Sequence, residues 1–164
     1  MKASLLFISL FALLFLGCEK EQNNKLLNPY LQFEVNGVKS TFSPPDLLNN
    51  NYFDCVVKSD TALNITVSKL YEGAGFNLKG KILNEGTYTL DEVNKAYYTN
   101  PKDFRRYTTN ENYKGTITIK RGTFQAKTLL NTLQGTFSFQ AVDTAKNKSI
   151  KVVKGEFLME LSVE

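Results

Sequence analysis

The amino-acid sequence predicts an all-β fold, an antiparallel β-sandwich or a partly closed barrel. The first observation is a period-two alternation of apolar and polar residues that runs through most of residues 29–164. The second is the regular placement of turn signals, Asn-Gly and single glycines, between these short alternating segments. Alternation gives each strand one apolar and one wet face, which is typical of antiparallel sheets. Many short strands divided by turns favour a sandwich or barrel over a parallel α/β design.

The first predicted hairpin has the clearest signal. Tyr30–Val35 alternates and is followed directly by Asn36-Gly37. Asn-Gly strongly indicates a hairpin, because a type I′ turn requires positive φ at both central residues. Val38–Phe42 is therefore expected to be the return strand.

The same alternation predicts the later strands. They are Tyr52–Val57, Leu63–Val67, Phe76–Ile82, Tyr88–Leu90, Thr116–Lys120, Gly135–Ala141, Ile150–Val153 and Glu156–Val163. Residues 143–147 are the expected loop of the closing hairpin. Gly73-Ala74-Gly75 is interpreted as a turn, because no helix follows it as a phosphate-binding loop requires. Asp46-Leu47-Leu48, just after two prolines, is expected to form one helical turn.

Residues 1–17 have the pattern of a secretion signal, with Lys2 as its positive start. The apolar run at 5–16 is too short to span a bilayer, which needs about 20 residues. Phe15-Leu16-Gly17-Cys18 resembles the lipobox of bacterial lipoproteins, although leucine is usual where Phe15 stands. This resemblance implies cleavage before Cys18 and its modification by acyl chains such as palmitate. The alternative is an ordinary signal peptide with an accidental cysteine.

A polar stretch follows the expected anchor. Residues 18–28 lack apolar periodicity and are predicted to be a flexible tether, which leaves 29–164 as a single β domain. The charged cluster after Cys18 resembles the surface-export signals of Bacteroidota lipoproteins. The expected location is therefore the outer membrane, with the domain lipid-anchored and either surface-exposed or facing the periplasm.

Composition argues against several chemistries. The formal charge of +4 falls to +3 once residues 1–17, with one lysine and no acid, are removed. So small a charge argues against a nucleic-acid partner. The chain has no histidine, which removes Ser-His-Asp and Cys-His catalysis and the commonest general base. Cys55 lies in a predicted strand and is expected to be a buried hydrophobe. We expect no enzyme activity, no metal site and no cofactor.

Several strand motifs together resemble a known family. They are Phe33-Glu34-Val35-Asn36-Gly37, Gly86-Thr87-Tyr88, Gly115-Thr116-Ile117-Thr118-Ile119, Gly135-Thr136-Phe137-Ser138-Phe139 and Gly155-Glu156-Phe157. In this order they look like a family of uncharacterised, all-β Bacteroidota lipoproteins, over roughly residues 30–164. The resemblance implies fold and location, and it implies no activity or catalytic residue.

The stretch from Tyr97 to Tyr113 is the candidate binding region, because it groups aromatic and cationic side chains. Aromatic rings beside hydrogen-bonding groups can stack on sugars or dock a peptide. The alternative is a plain hairpin, with its tip near residues 100–103 and its tyrosines half-buried at the sheet edge. The candidate residues are Tyr97, Tyr98, Arg105, Arg106, Tyr107 and Tyr113.

Two short segments, Asp60-Thr61-Ala62 and Asp143-Thr144-Ala145, resemble acceptor sites for O-glycosylation on exported Bacteroidota proteins. Thr61 and Thr144 both fall where turns are expected. The sequence thus favours a lipid-anchored, non-catalytic binding module for a glycan or peptide. The alternative is a structural or accessory lipoprotein that packs against an envelope complex by an exposed sheet edge.

Overall fold

A computed structural model describes residues 28–44, 52–58, 62–79, 85–121 and 132–163. Over these ranges the secondary structure is β-strand, without a helix, which confirms the predicted all-β class. The strands are β1 (Tyr30–Val35), β2 (Val38–Phe42), β3 (Tyr52–Lys58), β4 (Ala62–Lys69), β5 (Glu72–Lys79), β6 (Gly86–Leu90), β7 (Lys95–Asn100), β8 (Arg105–Thr108), β9 (Gly115–Arg121), β10 (Thr132–Asp143), β11 (Lys148–Glu160) and β12 (Ser162–Val163).

All the described strands belong to one sheet that nearly closes into a barrel. The main path runs β12-β3-β4-β5-β7-β8-β10-β11-β1-β2, and β9 branches from β10 to hold β6. Neighbours are antiparallel except β12, which pairs in parallel with β3. Because β12 follows β11 after a single residue, Leu161, this pair brings the two halves of the path together. Of the two predicted forms, the structure is therefore the partly closed barrel.

The first hairpin forms as predicted. Asn36 and Gly37 both have positive φ, 52° and 79°, and Val35 pairs directly with Val38. The turn at 144–147 likewise joins β10 to β11, as expected for the closing hairpin. The predicted helical turn at 46–48 and residues 80–82 of the predicted Phe76 strand lie outside the described residues.

The interpretation of Gly73-Ala74-Gly75 as a turn is wrong, because these residues lie inside β5. The glycines serve close packing here: a Cβ on Gly75 would lie 2.6 Å from the ring of Tyr97 on the neighbouring β7. Glycine in a strand interior often marks such an approach.

The two predicted segments 150–153 and 156–163 are mainly one continuous strand, β11. A β-bulge at Lys154, which has a φ of 52°, takes up an extra residue between the Glu34–Val153 and Gln32–Glu156 pairs. A bulge bends a strand without ending it. The sequence pattern broke at this point because the alternation changes phase there.

The inward faces of the strands form a core rich in phenylalanine. Phe76 and Phe137 meet edge to face, with ring centroids 4.7 Å apart, and Phe139 stacks beside Phe137 at 6.3 Å. Cys55 is 1% exposed within this core, which confirms that it is a buried hydrophobe. Burial, with the nearby Asp54 charge, raises the pKa of its thiol to about 12.

Candidate functional site

The β7–β8 hairpin carries most of the residues that the sequence predicted as a binding site. Its turn covers residues 101–104, so the hairpin reading of this stretch is confirmed. The hairpin does not lie at a sheet edge, however, since β7 pairs with β5 and β8 with β10. Successive side chains of a strand point to opposite faces. The hairpin therefore divides its five predicted residues among different surroundings, and the sixth, Tyr113, lies outside it.

Two of the predicted residues, Tyr98 and Tyr107, point inward. They are 5% and 3% exposed and stand opposite each other in the β7–β8 ladder. The Tyr98 hydroxyl donates a hydrogen bond to Glu72 at 3.0 Å, and the Tyr107 hydroxyl donates one to Asp103 at 3.3 Å. Burial, followed by these carboxylates, raises the pKa of both phenols. Both tyrosines belong to the interior of the barrel.

Arg105 is the first residue of β8, whereas Tyr113 lies in the loop that follows β8. Nη1 of Arg105 is 3.0 Å from Oδ2 of Asp143, and this ion pair ties the β7–β8 turn to the end of β10. Tyr113 lies in the 109–114 loop, where its backbone N–H donates to Oδ1 of Asn110 at 2.9 Å. Neither residue joins the other candidates.

Tyr97 and Arg106 are the pair that faces outward together. The guanidinium carbon of Arg106 lies 4.4 Å from the centroid of the Tyr97 ring, a cation–π contact. Tyr97 stands opposite Gly75 of β5, and the missing side chain there lets the ring lie against the sheet. Tyr97 forms one wall of a groove on the outer face, and Arg106 covers its ring.

We call this feature the Tyr52–Tyr97 groove. It crosses the outer faces of β3, β4, β5 and β7 and has a volume of about 250 Å³. Tyr52, which is exposed, forms the opposite wall, and its hydroxyl donates to Oδ2 of Asp54 at 2.9 Å. The lining residues are Tyr52, Asp54, Val56, Asn64, Thr66, Phe76, Asn77 and Tyr97.

Strand register explains why these side chains meet. Asp54 pairs with Thr66, Thr66 with Gly75, and Gly75 with Tyr97, so one row crosses four strands. In the next row, Asn64 pairs with Asn77. Residues on one row of a sheet share a face, and here that face is the outer one.

The floor of this groove offers uncharged hydrogen-bonding groups. The amides of Asn64 and Asn77 and the hydroxyl of Thr66 line it and form no hydrogen bond with another described residue. An amide carries both donors and an acceptor, and a hydroxyl can act as either. Between two tyrosine walls, these groups can bind a polar ligand that also has an apolar face.

Sequence reasoning found Tyr97 and Arg106 but missed Tyr52, Asn64 and Asn77. The missed residues lie on strands that precede the hairpin, and only strand pairing brings them to it. One signal was present in the sequence. The outward positions of β4 and the middle of β5 are small or uncharged, where lysine or glutamate is common on a solvated strand.

A second, larger groove crosses β1, β11, β10 and β9, with a volume of about 550 Å³. We call it the Glu34–Lys154 groove. Nζ of Lys154 lies 3.0 Å from Oε2 of Glu34, and the amide of Gln32 donates to Glu156. Four of the polar side chains that line this groove therefore bind one another in two pairs.

Within the described residues, no cluster of three or more His, Cys, Asp or Glu side chains is placed to hold a metal ion. The described part of the chain also contains no helix with the length and apolar character needed to cross a membrane.

Fold and groove define an all-β, barrel-like domain with an open polar site on its outer face. The model of a family described as domain of unknown function (DUF6252) matches residues 46–159, so the chain belongs to that family. Membership of an uncharacterised family is thus confirmed, whereas its Bacteroidota and lipoprotein character stays a prediction. No curated protein and no solved structure matches the chain.

Proposed function

We propose that this protein is a lipid-anchored, non-catalytic binding module of the cell envelope that captures a glycan in the Tyr52–Tyr97 groove. The observation that carries the proposal is the set of amide and hydroxyl groups between two tyrosine walls. Binding sites for small ligands commonly combine aromatic walls with a few placed polar groups. No partner, cofactor or metal is needed for such binding.

A glycan suits this surface better than a peptide. Sugar rings present C–H faces for aromatic stacking and hydroxyls for amide partners, and the groove supplies both. An extended peptide usually binds by adding a strand to a sheet edge. Here β3, β4, β5 and β7 are paired with each other, so the groove lies on a face and offers no edge.

The test is a glycan array probed with the full chain purified in detergent, beside a Tyr52→Ala/Tyr97→Ala variant. We expect the chain to bind a defined set of glycans and the variant to lose at least about tenfold in affinity, as truncated anchor residues do. The control is Tyr71→Ala, which removes another exposed tyrosine, one that does not line the groove. An array without any bound glycan, or equal binding by the double variant, would reject the proposal.

The anchor has its own test. A Cys18→Ala chain should lose both incorporation of a labelled palmitate analogue and retention in the membrane fraction of the host. Protease treatment of intact cells then distinguishes a surface-exposed domain, which is degraded, from one that faces the periplasm. A labelled Cys18→Ala chain would contradict anchoring at this cysteine.

The alternative proposal is a structural or accessory lipoprotein that packs against an envelope complex by a sheet edge. β2 lies at one end of the strand path, which favours it. Part of this strand is already engaged, however, since Ser40 donates to Glu72 of β5 at 2.6 Å. Crosslinking through β2 in intact envelopes, without any glycan binding, would favour this alternative.

A further inference from the structure

The end of the barrel that carries four turns differs from the rest of the surface. We call it the turn end and define it by the β1–β2, β4–β5, β7–β8 and β10–β11 turns, residues 36–37, 70–71, 101–104 and 144–147. The first three turns border a common groove, and the Arg105–Asp143 ion pair joins the third to the fourth. The chain enters β1 from the opposite end, at Asn28.

Large apolar side chains are concentrated there. Leu70 is 67% exposed, and Val38, Tyr71 and Phe104 are each more than 60% exposed. The rings of Tyr71 and Phe104 meet edge to face with centroids 4.8 Å apart, so two turns hold one aromatic pair in solvent. Contiguous exposed apolar surface on a folded domain commonly marks an interaction site.

Backbone conformation singles out the same residues. Leu70 and Phe104 have φ of 53° and 55°, a left-handed conformation that disfavours bulky side chains. Asn36, in the neighbouring hairpin turn, has the same φ and is a residue that tolerates it. Leu70-Tyr71 is thus a poor choice for folding its turn, which points to a role outside folding.

Charge adds an independent observation. Five exposed lysines surround these turns and form no ion pair with a described residue: Lys39, Lys69, Lys102, Lys146 and Lys148. The acids of this end are already engaged. Glu72 accepts hydrogen bonds from Ser40 and Tyr98, while Asp103 and Asp143 bind Arg105. The turn end is therefore apolar at its tips and cationic around them.

A groove of about 420 Å³ lies between the tips. Val38, Pro101 and Ile150 supply apolar lining. The charged lining is three lysines and one acid: Lys39, Lys69, Lys102 and Glu72, the last of which accepts hydrogen bonds from Ser40 and Tyr98. Its shape and chemistry fit one bulky apolar side chain flanked by carboxylates.

We propose that the turn end docks an acidic segment of a partner protein, with an apolar side chain seated in this groove. Lysines around an apolar centre attract and orient such a segment, since complementary charge favours specific encounter. An anionic membrane would also attract lysines and apolar tips. A protein is favoured over a membrane because the groove is concave. In addition, the proposed lipid anchor at Cys18 precedes β1, and the turn end lies at the opposite end of the barrel from the start of β1.

The test is an NMR titration of the full chain in detergent with the peptide Glu-Glu-Leu-Phe-Glu-Glu. We expect shifts confined to the turn end, about tenfold weaker affinity for the Lys-Lys-Leu-Phe-Lys-Lys control, and loss of affinity with added salt. Shifts elsewhere, or equal binding of both peptides, would overturn the proposal.

Two variants of the turn end and a comparison with anionic vesicles complete the test. Leu70→Asn/Tyr71→Gly places better turn residues in the hairpin, so the variant should fold at least as well while losing about tenfold or more in peptide affinity. Lys69→Glu/Lys102→Glu should lose affinity by charge alone. Unchanged affinity in either variant overturns the proposal. So does sedimentation of the Cys18→Ala chain with anionic vesicles, if both variants made in that chain abolish it, because the surface would then bind lipid.

Discussion

The two outer grooves of the barrel differ in what their polar groups do. In the larger Glu34–Lys154 groove, a lysine neutralises a glutamate and an amide binds a second carboxylate. In the smaller Tyr52–Tyr97 groove, Asn64, Thr66 and Asn77 face solvent between tyrosines. The volume of a groove alone therefore does not indicate a binding site. Polar groups that are already paired must lose their partners before they can bind a ligand, and this cost reduces the net free energy of ligand binding.

Both grooves lie over the same core. The stability of the protein at alkaline pH tests whether water is excluded from that core beneath the smaller groove. Cys55 lies in β3 with a thiol pKa raised to about 12 from 9.0. A folded-state pKa above the unfolded value contributes stability that is complete below pH 9 and lost as pH rises toward 12. The free energy of unfolding should therefore fall over this range, by about 4 kcal/mol for this thiol alone.

Urea unfolding between pH 8 and 12 measures this change, with Cys55→Ala as the matched variant. The pKa values of Tyr98 and Tyr107 are raised as well. The Cys55→Ala chain should therefore still lose some stability as the pH rises, but less than the unaltered chain. Identical pH profiles for the two chains would mean that the thiol is accessible to water.

Replacing a glycine by alanine should have a different effect at each groove. It should lower folding stability at the larger groove and weaken glycan binding at the smaller one. A Cβ on Gly155 would lie 2.4 Å from the buried ring of Phe137, so Gly155→Ala should lower the free energy of unfolding by about 1–3 kcal/mol. A Cβ on Gly75 meets the Tyr97 ring, which can swing into solvent. Gly75→Ala should therefore weaken glycan binding more than it weakens folding. Urea unfolding and titration calorimetry check the two effects, and equal losses of binding would contradict the contrast.

Arg106 should have a smaller effect. Its guanidinium covers the Tyr97 ring, and cation–π contacts at exposed sites contribute about 0.5–1 kcal/mol. Arg106→Ala should thus reduce glycan affinity by up to about fivefold, through a less ordered Tyr97 wall, with little change in stability. Arg106→Lys should recover part of the affinity. Calorimetric titration of the three chains decides this, and a gain in affinity on losing the arginine would show that it blocks the ring.

The smallest effect is expected for the ion pair of the larger groove. Lys154 is largely exposed, and exposed ion pairs contribute about 0–1 kcal/mol. Lys154→Gln should leave both thermal stability and glycan affinity nearly unchanged. A large loss of glycan affinity would move the binding site to this groove.

Local patterns in the sequence predicted much of the fold. Alternation located the strands, and Asn36-Gly37 specified its turn through the φ values that it permits. Gly75 was misread because glycine signals a turn unless a distant side chain, here Tyr97, fills the space above it. Pairing between β5 and β7 depends on long-range packing, and without it Tyr52 cannot be assigned to the same site as Tyr97.

The predicted binding region was only partly informative for the same reason. Tyr97 and Tyr98 are adjacent in sequence, yet strand geometry sends one to the groove and the other to the core. Which of the two faces outward depends on the register with β5, and that register is not encoded within the hairpin itself.

The most direct test is NMR mapping of a glycan selected on the array, titrated into the full chain in detergent. Shifts should concentrate on Tyr52, Asn64, Asn77 and Tyr97 and disappear in the Tyr52→Ala/Tyr97→Ala chain. Shifts centred on Glu34 and Lys154 instead, or persisting in that variant, would contradict the assignment of the glycan site to the Tyr52–Tyr97 groove.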